Sequence, residues 1–288
     1  EADMKRIALE HIFEASPDHL WELIVDPDHY RYWTTAFSVG SKFVGDWSQG
    51  SPIRFVMEDE EGNESGMLSE VVVSEWPRLI SIQHKGLVMN GIEDYDSPET
   101  KMWTPAFENY TLESSGGGQC TFKMEQDIPE AYEEEFVANW HQAFDLMAER
   151  LKLLPDLNYR ISLEAYSKKS PTELWDRLIS PDQVKTWNFA SPDWHCPMAT
   201  NELRVGGEFH YEMAAVDGSM SFDFWGTYTL IEAKQRLAFT LGDGRKVTID
   251  LEEKPWGCLV LERFEPEIEN SLHLQRLGWQ AILNNFAC

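Results

Sequence analysis

Cationic side chains are scarce: 24 lysines and arginines stand against 50 aspartates and glutamates in 288 residues, a formal net charge of −26. A field of that sign repels phosphate backbones and anionic lipid surfaces, which argues against nucleic-acid and membrane-surface roles. It leaves a basic partner open, and its plainest reading is a solvated, solubility-promoting surface. The deficit is uneven, since residues 1–154 carry 30 acidic and 11 basic side chains and residues 155–288 carry 20 and 13. Cysteine is sparse too. Cys120, Cys196, Cys258 and Cys288 show no C-x-x-C spacing, which speaks against a disulfide framework or a cysteine-rich zinc module and for reduced thiols. No run approaches the ~18 apolar residues that span a bilayer, and the opening EADMKRIALEHIFEAS lacks the apolar centre of a secretory signal. No membrane insertion is expected, and the cytoplasm is the simplest compartment. Glu1-Ala2-Asp3 ahead of Met4 reads as an extraneous leader. Gly116-Gly117-Gly118 has neither the Lys-Ser/Thr nor the helix of a phosphate loop and reads as a turn.

What is abundant is apolar and aromatic: 42% hydrophobic and 12% aromatic residues, enough for two packed cores. The order of those residues repeats. LEHIFEASPDHLWELIVDPDHYRYW (9–33) lies over LEAYSKKSPTELWDRLISPDQVKTW (163–187) at a constant offset of 154, matching Ser16/Ser170, Pro17/Pro171, Trp21/Trp175, Pro27/Pro181 and Trp33/Trp187 among others. Near the ends of the copies, Trp140-Phe144-Met147 and Trp279-Leu283-Phe286 share one spacing at an offset of 139. One module is therefore written twice, over 4–154 and 158–288, with the boundary near LPDLN at 154–158 and about 15 extra residues inside the first copy.

Each copy reads as a first strand (Ile7 to Phe13; Tyr159 to Tyr166) running into a Ser-Pro helix start, and Ser170-x-x-Glu173 has the form of a capping box. Asp26-Pro27 and Ser180-Pro181 then break the first helix and start a second short one that ends at the repeated tryptophan. About six antiparallel strands follow. In the second copy their hairpins are marked by Asp217-Gly218, Asp243-Gly244 and Pro255-Trp256-Gly257. A C-terminal helix closes the copy, with Leu272, Trp279, Ile282, Leu283 and Phe286 as one apolar stripe. The fold class is α+β: two tandem modules, each a curved antiparallel sheet around a long C-terminal helix with two short helices after the first strand.

The pattern resembles the START-like (SRPBCC) helix-grip superfamily. The second copy is similar to the branch named after the activator of the heat-shock-protein ATPase. The residues that carry the resemblance are SPTELWDRLISPDQVKTW (170–187), DWHCPMATNELRVGGEF (193–209), FDFWGTY (222–228) and DGRKVTIDLEE (243–253). The first copy fits at SPDHLWELIVDPDHYRYW but has SKFVGDWSQGSPIRFVMEDEEG (41–62) where the Trp-His-Cys-Pro and double-glycine segment would stand. The resemblance implies a sheet gripping the helix, often around a cavity for an apolar or amphipathic small molecule. Its members serve as lipid carriers, polyketide cyclases, resistance proteins and co-chaperones, so fold alone does not choose a function.

Candidate ligand-binding residues are the aromatics Trp187, Phe189, Trp194, Phe209, Tyr211, Phe222, Phe224 and Tyr228 in the second copy, and Trp33, Phe37, Phe55 and Trp103 in the first, beside Trp47 and Met57. Such a set lines a cavity or fills a core. Trp187 and Trp194 are favoured because they fall after the short helices, where the cavity of this fold opens. Glu212, Asp223, Arg204, Arg245, Arg54 and His84 could orient a ligand, but surface charges and cross-strand pairs are the simpler reading. The Trp194-His195-Cys196 trio invites a catalytic or metal reading, yet neighbours in extended chain point to opposite sides, and His210 alternates against Phe209, Tyr211 and Met213. No catalytic residue, metal or cofactor is expected. The insertion GLVMNGIEDYDSPETKMWTP (86–105) reads as a long loop, either a lid or contact or a tolerated surface excursion. Non-catalytic binding of a small apolar or amphipathic molecule, under the C-terminal helix of at least one module, is the leading expectation. A co-chaperone role with a chaperone partner and a cyclase or hydrolase of the same fold are the alternatives. The eukaryotic activator's separate N-terminal domain has no counterpart within the two copies, and NWH at 139–141 belongs to a helix stripe.

Overall fold

Helix starts in this chain are written as Ser-Pro and Asp-Pro steps, and the computed structural model, which describes residues 3–154 and 159–288, shows how they work. Residues 155–158 of the expected boundary and residues 1–2 of the expected leader lie outside the described residues. The chain divides into two compact units, Glu1–Leu157 and Asn158–Cys288.

In the first unit the elements are β1 (Met4–Phe13), α1 (Pro17–Val25), α2 (Pro27–Trp33), β2 (Lys42–Gly45), β3 (Pro52–Glu58), β4 (Glu64–Glu75), β5 (Leu79–Met89), β6 (Ile92–Asp94), α3 (Pro98–Trp103), β7 (Ala106–Gly116), β8 (Gln119–Pro129) and α4 (Glu133–Leu151). In the second they are β9 (Ile161–Ser167), α5 (Pro171–Ile179), α6 (Pro181–Trp187), β10 (Trp194–His195), β11 (Ala199–Asn201), β12 (Glu208–Ala215), β13 (Ser221–Glu232), β14 (Arg236–Leu241), β15 (Lys246–Lys254), β16 (Gly257–Phe264) and α7 (Leu272–Ala287). The sheets run β1-β8-β7-β5-β4-β3-β2, with β6 beside β5, and β10-β12-β13-β14-β15-β16-β9, with β11 beside β12. Every pairing is antiparallel, and in both units the first strand joins the last at one edge. Register shifts on β4/β5 and on β13/β14 between Tyr228 and Leu230 add the local bends that curve a sheet.

The repeated residues have repeated tasks. Ser16 and Ser170 both cap: their Oγ atoms accept from His19 N at 3.3 Å and from Glu173 N at 3.2 Å. Only the second copy completes the capping box, because Glu173 Oε2 also accepts from Ser170 N at 2.8 Å. At the next helix the roles reverse. Asp26 caps α2 by accepting from Asp28 and His29 N–H groups, whereas Ser180 makes no side-chain cap on α6. The tryptophans that end these helices donate the same bond, Trp33 Nε1 to Leu23 O at 2.7 Å and Trp187 Nε1 to Arg177 O at 2.9 Å, closing the first short helix onto the second. Ser170→Ala removes the N-cap and half of the box, and is expected to lower the stability of the second unit by about 1 kcal/mol in urea unfolding.

Two expectations need correction. The 86–105 insertion is not a long loop: Asn90 and Gly91 turn tightly with φ of 50° and 78°, β6 returns beside β5, and α3 follows. Asp94 organises that return by accepting from Asp96 N, Ser97 N and Thr100 Oγ1. Phe222 keeps the inward phase of Phe209 and Tyr228 but not their burial, being 50% exposed where they are 1%. It sits near the start of β13, opposite Met213, where the hairpin runs out past the core.

Candidate functional site

The helix α7 crosses the concave face of the second sheet without filling it. Its Leu283 and Phe286 are buried, while Gly278, Trp279 and Ile282 face a cavity of about 390 Å³. Facing them are Leu178 of α5, Trp187 and Asn188 at the end of α6, Phe209, Tyr211 and Met213 of β12, Phe222, Phe224 and Tyr228 of β13, Leu237 and Phe239 of β14, Ile249 of β15 and Glu262 of β16. Strand alternation brings these side chains to one face. The volume falls in the range of small-molecule sites, and so does the composition, mostly apolar and aromatic with few polar groups.

Six of the eight aromatics singled out in the second copy line this cavity: Trp187, Phe209, Tyr211, Phe222, Phe224 and Tyr228. Phe222 stands at the rim, edge-on to Trp194 with ring centroids 6.0 Å apart. Trp194 and Phe189 lie outside the lining. Trp194 is half-buried on the short edge strand β10, paired to Ala215, and Phe189 gives its carbonyl to Asn285 Nδ2 at 2.7 Å. In the first unit Trp33, Phe37, Phe55 and Trp103 all line a smaller cavity of about 200 Å³. At the place equivalent to Trp279 that cavity is lined by Trp140, which is more deeply buried. Trp140 is 1% exposed and packs on Phe37, Trp33, Phe144, Tyr110 and Phe122 with centroids between 5.0 and 6.4 Å. Trp103, on α3, packs over Tyr132 and Phe136 in the same unit. Trp47 lies among Phe43, Phe55 and Tyr30, and Met57 is largely exposed beside Ser38.

The charged candidates divide. Arg204 pairs with Glu202, Arg54 with Glu64, and Asp223 accepts from His210 on the outer face of the second sheet, where His210 also meets Glu208 and stacks on Trp225. These partners raise the His210 pKa, the Asp223 hydrogen bond most of all. Glu212 is half-buried on the strand face away from Tyr211 and Met213. Arg245 reaches the cavity rim, held by Asp243 at 2.8 Å. His84 is no surface charge: it is 5% exposed, bonded through Nδ1 to Ser69 Oγ at 2.7 Å and through Nε2 to Glu108 at 3.2 Å, and Glu108 in turn accepts from Tyr110 OH at 2.6 Å. Both ring nitrogens are occupied, so this chain of partners is a satisfied buried network.

Cys196 is buried, takes a weak bond from Asn188 and directs its thiol to the Met198 carbonyl; burial raises its pKa, the opposite of an activated thiolate. Among the described residues no three His, Cys, Asp or Glu side chains gather as a metal site, and no helix is long and apolar enough to cross a membrane.

The sequence reading passed over Glu262 and Gln275. Gln275 is buried on α7 and fastens the preceding loop by accepting from Glu267 N at 2.9 Å and donating to the Glu267 and Asn270 carbonyls. Glu262 is 9% exposed, and burial pushes its carboxyl up to about 8. The signal for it was strand phase: in CLVLERF, Glu262 alternates with Cys258, Val260 and Phe264 and so faces the helix.

Comparison with known proteins gives the following. The family model described as Activator of Hsp90 ATPase homolog 1-like protein matches residues 14–152 and again 168–287. The solution structure of an AHSA1-like protein from Aeromonas hydrophila is 42% identical to this chain, covering 45% of it and 90% of that chain, with a TM-score of 0.43. A Cytophaga hutchinsonii protein solved in solution is also 42% identical, over 44% of this chain and 88% of its own, with a TM-score of 0.41. The di-domain ARO/CYC BexL from the BE-7585A biosynthetic pathway is similar along 90% of this chain and 84% of its own, at 13% identity and a TM-score of 0.41. No match is found among curated proteins.

Proposed function

The chain belongs to the Activator of Hsp90 ATPase homolog 1-like family, of which it holds two tandem copies, and we propose that its second unit binds a small apolar or amphipathic molecule beneath α7. The cavity of about 390 Å³ between α7 and the sheet supports this reading above all else. A packed interior would exclude water and any guest, as protein cores do. Here Gly278 faces the space with nothing within 4 Å of where its side chain would begin. Walls of aromatic rings favour a flat, apolar guest, and the few polar groups would orient it. The first unit, with about half the volume and Trp140 in the centre, is better suited to stability than to uptake.

A soluble aromatic probe tests the proposal. With 2-(2-naphthyl)ethanol at a hundredfold excess over its Kd, the unfolding free energy of the second unit is expected to rise by about 2.7 kcal/mol, read as a higher Tm. An unchanged Tm up to the solubility limit of the probe dismisses the reading. The family's name supports a second reading, action on an Hsp90-type ATPase. A steady-state ATPase assay with the purified chaperone tests it, and an unchanged rate together with no complex in a pull-down dismisses it.

A further inference from the structure

Glu262 is a carboxyl group that the fold does not need. It pairs across the sheet with Leu163, and in the first unit the residue paired with the equivalent Leu9 is Met124, which is fully buried. The same position in the same fold thus takes an apolar side chain in one copy and an acid in the other. In the second unit that acid opens onto the cavity beside Phe264, whose ring stacks on Trp279 at 4.0 Å. Among the described residues its carboxyl has no hydrogen-bond or ion-pair partner, so the group a polar interior normally supplies is left for a guest in the cavity to provide.

We infer that the occupant of this cavity is an aromatic amine, its ammonium group seated on the Glu262 carboxylate and its apolar body among the rings. The inference rests on the ligand-binding reading above and names the class of ligand. The lining includes the rings of Phe224 and Trp279, and aromatic rings near a cation attract it. Glu267 adds a carboxylate to the lining, and the net charge of −26 draws cations toward the protein. An anionic guest would need a free cation, and the nearby ones are engaged: Arg245 with Asp243 and the Glu265 carbonyl, Arg276 with the Ser162 carbonyl at 2.8 Å. Burial raises the phenols of Tyr211 and Tyr228, so both keep their protons. On the neighbouring strands Asp250 and Glu164 flank Ile249 and Leu163 and point, by alternation, to the opposite face.

Binding then carries a proton signature. Glu262 is protonated in the empty cavity below about pH 8. The ammonium arrives charged, the acid gives up its proton to solvent, and the ion pair remains. One proton is released per amine bound, so affinity for the amine climbs toward tenfold per pH unit between about pH 6 and 8 and levels off above.

Fluorescence titrations of 2-(2-naphthyl)ethylamine and of 2-(2-naphthyl)ethanol against the full chain from pH 6 to 9 test this. At pH 8.5 the protein is expected to prefer the amine by tenfold or more, about 1.4 kcal/mol. Glu262→Gln and Glu262→Met, the latter copying the first unit, should abolish that preference and the pH slope. An alcohol bound as tightly as the amine at pH 8.5, or an amine preference that survives in Glu262→Gln, overturns the inference and leaves the ligand-binding reading standing. If neither probe binds the unaltered protein, the ligand-binding reading falls and takes the inference with it.

Discussion

Glu262→Gln is expected to stabilise the second unit increasingly as pH rises, with the gap over the unaltered protein widening by on the order of 4 kcal/mol between pH 5 and pH 9. The direction is unusual for a carboxylate. Most acids in folded proteins are partnered and lose stability as pH falls. Glu262 has its folded pKa raised from 4.5 to about 8 by burial, so the native state holds a proton that the unfolded chain gives up. Its favourable contribution is fully present below pH 4.5, drains away from 4.5 to 8, and does not change further above 8. Glutamine fills nearly the same volume and has no proton to lose, so the difference between the two proteins isolates this one group from the other 49 acidic side chains. Urea unfolding at pH 5, 7 and 9 reads it. Parallel stability curves would show that the carboxyl is solvated or partnered.

Filling the cavity should separate stability from binding. Gly278 lies inside α7, lines the cavity, and an added Cβ there would meet nothing within 4 Å. Gly278→Phe recovers about 0.5 kcal/mol of the helix penalty of glycine and places a ring among rings. The second unit is expected to gain about 0.5 kcal/mol or more in urea unfolding and to lose tenfold or more in affinity for 2-(2-naphthyl)ethanol. The two signs belong together. A protein tuned only for stability would not keep glycine at an open, helical, inward-facing position, whereas a protein that holds a guest there gains from the space. A variant that loses stability would mean that the cavity cannot admit a ring; one that keeps its affinity would place the guest elsewhere.

Much of this architecture is legible in the sequence because its devices are local. The Ser-Pro starts, the capping box at Ser170 and Glu173, the Asp217-Gly218 and Asp243-Gly244 turns and the repeated tryptophans each act within about ten residues, and each forms as its chemistry dictates. The Trp33 and Trp187 bonds explain why that residue recurs in both copies: an indole N–H ties two short helices that proline steps would otherwise leave loosely joined. The cavity is a different kind of fact. Aromatics on alternating strand positions look the same whether they meet one another or a void. Trp140 and Trp279 hold equivalent places and each lines its own unit's cavity, yet the first packs on five rings and the second on two, Phe264 and Phe224. That outcome depends on neighbours far apart in sequence. Phe122 and Val260 are such a pair, on equivalent strands against His11 and Ala165.

Strand phase places Phe222 correctly on the cavity side but does not give its burial, because near the end of the β12–β13 hairpin its ring meets Trp194 and is left half exposed. It was available at Glu262. A lone acid in an apolar strand, in phase with Val260 and Phe264, points inward by the same alternation that buries them. The 86–105 insertion reads as a loop because its turn at Asn90-Gly91 and its helix start at Ser97-Pro98 leave β6 and α3 only three and six residues long, too short for periodicity to show.

If the second unit holds one small apolar guest between α7 and its sheet, equilibrium dialysis of 2-(2-naphthyl)ethanol against the full chain and its Gly278→Phe variant, run side by side, will separate them. One saturable equivalent per chain is expected for the unaltered protein, weakened tenfold or more in the variant. No saturable uptake by the unaltered chain, or the same uptake by both proteins, would rule such a guest out.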